Sequence, residues 1–95
     1  MAIGVQLDFI GGTLEQYDEV VGKMGFLPRG QGAPGGLFHW VTPTADGIRV
    51  IDVWESLELF EQFAKEKIGP ITASVGITEA PHITVYEVHN YLTAG

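Results

Sequence analysis

The sequence predicts one α+β domain with the element order strand, helix, strand, strand, helix, strand. Three observations predict it. Between residues 49 and 70 the apolar period switches from two-residue alternation to helical spacing. The chain opens on a second alternating stretch that runs into a helix-capping pattern. Asp46-Gly47, between two short apolar runs, is a hairpin signal.

The first strand spans residues 2–10, with Ile3, Val5, Leu7 and Phe9 on one face and Gly4, Gln6, Asp8 and Ile10 on the other. Gly11-Gly12 ends it. Thr13-Leu14-Glu15-Gln16 fits a capping box, and a helix follows to about Met24, with Leu14, Tyr17, Val20, Val21 and Met24 inward and Gly25 as its stop. Residues 26–36, FLPRGQGAPGG, form a Gly/Pro-dense loop, long for a compact domain and of the kind that often carries function. The second strand covers residues 37–41, residues 42–47 turn the chain, and the third strand covers 48–54, with Asp52 and Trp54 on the face of Ile48 and Val50. Ser56 is the N-cap of a second helix over about 57–68, whose inner residues are Leu57, Phe60, Phe63, Ala64 and Ile68. Gly69-Pro70 is expected to break that helix, with a short further turn over 71–75. The last strand is expected over 82–89.

This βαββαβ order is the ferredoxin-like unit, an antiparallel four-stranded sheet with both helices on one face. It spans residues 1–95 as a single domain. The other sheet face is left bare and partly apolar. With 45 % hydrophobic residues and a mean hydropathy of +0.16, the expected cover is a second copy of the chain, giving a homodimer.

Composition excludes several classes. The net charge is -7, and the five basic residues (Lys23, Arg29, Arg49, Lys65 and Lys67) form no stripe, which argues against nucleic acid and against an anionic membrane surface. No cysteine is present, which removes disulfides, thiol catalysis and Cys-ligated zinc. The N-terminal apolar stretch lacks a basic lead and reads as a strand and not a signal peptide, so a cytoplasmic protein is expected. No stretch reaches the ~20 apolar residues of a membrane span.

Residues 53–60, VWESLELF, resemble the W-E-S-x-E-A junction of the dimeric α+β barrel superfamily, in particular its antibiotic-biosynthesis-monooxygenase-like proteins. That resemblance implies a homodimeric barrel. It also implies a range of activities: cofactor-free oxygenases, isomerases, lactone-processing and heme-degrading enzymes. Many such proteins carry a His nine residues after the Trp; here the position is Phe63, which helical spacing explains as core.

His39 is the first candidate for chemistry, as a general acid/base or a contact for a ligand oxygen, set between Leu37 and Val41 on one strand face. Its alternative is a satisfied, half-buried histidine. Asp8 and Asp52 are the next pair, on strands expected to be neighbours and so expected to approach each other across the sheet. A buried carboxylate there needs Arg49, His39 or a ligand as partner. Tyr17 and Trp54, with Trp40, Tyr86 and the polar Gln6, are candidates for lining a pocket for an apolar or aromatic ligand, against the alternative of core or interface packing. His82 and His89 fall on opposite strand faces, no helical His pair exists, and no metal site is expected. Gly11-Gly12 and Gly35-Gly36 lack nucleotide-binding spacing. The reading is a small-molecule-binding protein, working without cofactor if catalytic, with His39 as acid/base and Asp8 or Asp52 orienting it. The alternative is a non-catalytic ligand-binding or assembly module.

Overall fold

A computed structural model describes residues 1–94. The elements are β1 (Ile3–Ile10), α1 (Leu14–Lys23), β2 (Gly36–Thr44), β3 (Gly47–Trp54), α2 (Leu57–Phe63), a π-helical turn (Ala64–Ile68), α3 (Gly69–Ser74) and β4 (His82–Glu87). The four strands form one antiparallel sheet in the order β2-β3-β1-β4. This is the ferredoxin-like arrangement expected from the element order.

The capping signals act as read. Thr13 accepts from the Gln16 backbone N–H while the Gln16 side chain accepts from the Thr13 N–H, and the Ser56 hydroxyl accepts from Leu59. Each cap satisfies donors that a helix start leaves unpaired.

Three boundaries differ from expectation: β4 stops at Glu87 and not at residue 89, and the other two have local causes. β2 runs on to Thr44, and the hairpin turns over Ala45-Asp46 alone. Pro43 is tolerated because β2 is an edge strand, where a missing N–H breaks no ladder. Gly47 has no room for a side chain, since a Cβ there would collide with the Phe9 carbonyl. The second helix does not break at Gly69-Pro70. Helical backbone continues through a π turn into α3, with Pro70 in the first turn of α3. Gly69 N–H bonds to the Ala64 carbonyl, five residues back. The wider π turn makes room for a ring that would crowd the carbonyl four residues earlier in a regular helix.

The core lies between the sheet and the helices. Val5, Leu7 and Phe9 from β1 pack with Ile48, Val50 and Trp54 from β3 and Phe60 from α2. Trp54 meets Phe60 edge-on at 5.8 Å between ring centroids and Phe63 at 5.2 Å. Phe63 is thus packed against the core, as its spacing predicts, though only half-buried. The opposite sheet face carries Phe38, Trp40 and Tyr86, each about half exposed at 49 %, 48 % and 52 %, beside Ile51 and Val53.

Candidate functional site

The site is built on the β2–β3 register. His39 pairs directly with Asp52, and alternation sends both side chains to the helix side of the sheet. Next to this pair β2 carries a bulge between Gly36 and Phe38, leaving Leu37 as the extra residue. Bulges of this kind re-aim a strand beside a site.

Four side chains form a hydrogen-bonded chain there. His39 Nδ1 lies 2.6 Å from Asp52 Oδ1. The Trp54 indole N–H donates to Asp52 Oδ2 at 3.1 Å. The Tyr17 hydroxyl lies 2.5 Å from His39 Nε2, and the two rings stack within 9° of parallel. Asp52 is 6 % exposed, yet both of its oxygens are engaged, which answers the cost of burying a carboxylate. Because the carboxylate only accepts, Nδ1 of a neutral imidazole carries the proton and Nε2 is left to accept the Tyr17 O–H. The Tyr17 phenol is pushed above the ordinary tyrosine value, first by burial and then by the negative charge of Asp52.

This chain forms one wall of a cleft of about 1250 Å³ between sheet and helices. Apolar side chains such as Leu7, Val50, Phe63 and Ile77 line its depth. The 26–36 loop forms its rim. Ala33, Pro34, Gly35 and Gly36 make a type II turn there, closed by a 2.9 Å bond from Gly36 N–H to the Ala33 carbonyl, with Gly35 at φ +86°. Glu55 N–H donates to the Gly35 carbonyl, which ties the rim to the start of α2.

The structure brings together His39, Asp52, Tyr17 and Trp54 and separates the other candidates from them. Asp8 and Asp52 do not approach. Asp8 pairs in register with Arg49, whereas Asp52 pairs with Val5, so the two carboxylates stand on opposite faces of the sheet. Asp8 instead accepts from Arg49 Nε at 2.6 Å and from the Gln6 amide at 2.9 Å. Those contacts hold its carboxyl below the usual range. Gln6, Trp40 and Tyr86 share that outer face and do not line the cleft. β4 ends at Glu87, so His89 lies beyond it, while His82 is on the outer face opposite Asp8. Among the described residues no group of three or more His, Asp or Glu side chains is placed to hold a metal ion. Thr72 and Ile77, which also line the cleft, were not anticipated, because they follow a helix that was expected to have ended.

No protein-family model matches the chain, and no curated protein matches it in sequence. Solved structures do match in shape. A variant of SnoaB, a cofactor-independent oxygenase from Streptomyces nogalater, superposes with a TM-score of 0.59 at 15 % identity, covering 98 % of this chain and 97 % of that one. The chain has the fold of the antibiotic-biosynthesis-monooxygenase type. A protein from Deinococcus radiodurans described as an antibiotic biosynthesis monooxygenase gives a TM-score of 0.57 at 15 % identity, with 100 % and 99 % coverage. The monooxygenase from the gene ActVA-Orf6 of Streptomyces coelicolor, bound to nanaomycin D, gives 0.57 at 16 % identity, with 99 % and 92 % coverage.

Proposed function

We propose that this monooxygenase-type fold binds an apolar or aromatic small molecule in the cleft and oxygenates it without a cofactor. The observation that carries the reading is the Tyr17–His39–Asp52–Trp54 chain on the wall of a mostly apolar cleft. His39 acts as the acid/base and Asp52 fixes its tautomer and stabilises the imidazolium. Removing the most acidic proton of the ligand leaves an anion with carbanion character. The carbanion reduces dioxygen directly, one oxygen atom ending as a carbonyl on the ligand and the other leaving as water. The apolar walls shield the anion on the helix side, while the His39 side chain itself is 45 % exposed. The likeness in fold to SnoaB, a cofactor-independent oxygenase, supports this reading.

The working unit of this reading is a homodimer, with the outer sheet face of one copy on that of another. The half-exposed Phe38, Trp40 and Tyr86 support it.

A second reading, a non-catalytic binding module, is favoured by Phe63. It fills the helix position nine residues after Trp54 with a packing residue, where a polar one would supply further chemistry. One experiment separates the two. Small molecules extracted from purified protein are identified by mass spectrometry, then returned to the protein in an oxygen electrode. Oxygen uptake that is lost in a folded His39→Ala variant supports the oxygenase. Binding without uptake supports the module.

A further inference from the structure

We propose that Tyr17, and not the imidazole of His39, is the group that touches the ligand, accepting a hydrogen bond from a hydroxyl on it and relaying the proton to His39. This rests on the small-molecule reading of the cleft. The argument is a count of hydrogen-bonding positions. An imidazole has two nitrogens, and both are engaged: Nδ1 by Asp52 and Nε2 by Tyr17. Asp52 has two oxygens engaged, one by His39 and one by Trp54. A ligand that contacted His39 directly would have to displace one of these partners. Tyr17 is different. Its own proton points to Nε2, and its oxygen keeps acceptor capacity beyond that bond. The ring is half-buried on α1 and lines the cleft. The cluster therefore offers an acceptor to the ligand, and a ligand hydroxyl is the donor that can also give up its proton to a base.

The proton step balances without any further reactant. The ligand O–H bond breaks as a new O–H bond forms on Tyr17. The proton that Tyr17 held passes to His39 Nε2. The result is a ligand anion in the cleft and an imidazolium facing the Asp52 carboxylate.

The test uses two probes of one shape, 2-naphthol and 2-methoxynaphthalene, with wild type, Tyr17→Phe and His39→Ala. Affinities are measured by calorimetry, and naphtholate formation by its absorbance at neutral pH. The expected result is that Tyr17→Phe lowers the affinity ratio of naphthol to ether by roughly three- to tenfold, the worth of one hydrogen bond. His39→Ala frees the Tyr17 proton to donate to either probe, so that variant is read through naphtholate formation and not through the ratio. A larger share of bound naphtholate is expected in wild type than in either variant. An unchanged ratio in Tyr17→Phe, with both probes still bound, overturns the role of Tyr17 and leaves the cleft reading standing. A naphtholate share in Tyr17→Phe equal to that of wild type overturns the relay, since His39 would then take the proton directly. Failure of both probes to bind wild type overturns the cleft reading and this inference with it.

Discussion

His39 and Asp52 face each other from directly paired positions on β2 and β3, with Nδ1 2.6 Å from Oδ1. In the neutral imidazole this contact puts the proton on Nδ1. Nitrogen-15 NMR of the ring should show the Nδ1–H tautomer in wild type and a tautomer mixture in Asp52→Asn. If the protein is an oxygenase, Asp52→Asn should lower its turnover by about 10²-fold or more, because the imidazolium loses its counter-charge. A wild-type ring protonated on Nε2 would contradict the geometry.

Tyr17 should ionise above the ordinary tyrosine range in a spectrophotometric titration, because burial and the Asp52 charge both disfavour the phenolate. A raised pKa favours the neutral form in the fold. Its contribution to stability is therefore whole below the unfolded tyrosine value and is lost as pH rises through the folded one. Asp52→Asn should lower the Tyr17 value part of the way and leave the effect of burial.

Asp8 gives the opposite pH dependence. Its pKa is lowered by the Arg49 and Gln6 hydrogen bonds, so its contribution is present above the ordinary carboxylate value and lost as pH falls through the folded one. Arg49→Gln should flatten the acid limb of the stability profile measured by denaturant melts. An acid limb identical in the variant would mean the pair does not form in solution. At this surface pair the effect is small and shrinks with added salt.

Phe60 is 3 % exposed and packs edge-on against Trp54. Phe60→Ala should cost about 3–5 kcal/mol in denaturant unfolding. Phe63→Ala should cost less, because Phe63 is only half-buried.

Light scattering at micromolar concentration should give twice the 10.3 kDa chain mass. Trp40→Asp, which adds charge to the outer face, should shift the protein toward monomer without lowering helix content. A wild-type mass equal to one chain would remove the dimer from the proposed function.

The fold was legible because each element announces itself locally. Thr13 and Ser56 cap helices as their positions predict, and alternation in β1 and β3 assigns the core face residue by residue. Part of the site was legible too. His39, Asp52, Tyr17 and Trp54 are marked by type and face, and Asp52 and Trp54, two apart on one strand, sit within side-chain reach of each other. The misplacement of Asp8 came from treating neighbouring strands as sufficient for contact. Strand alternation decides the face, and an even-numbered position on β1 faces away from an even-numbered position on β3, because paired residues sum to an odd number. The hydrogen bond from Tyr17 to His39 joins residues 22 apart through tertiary packing, which no local period encodes. The run past Pro70 depended on a π turn, whose signature is backbone geometry and not residue type.

The bulge at Leu37 has an evolutionary consequence. The tight Ala45-Asp46 turn fixes which residues of β2 and β3 oppose each other, while the bulge lets the chain upstream of Phe38 slip out of phase with that ladder. Insertions or deletions within the 26–36 loop can therefore be absorbed before they reach the His39–Asp52 pair. The rim of the cleft can thus change length while the His39–Asp52 register is kept, which separates what the cleft admits from how it handles a proton.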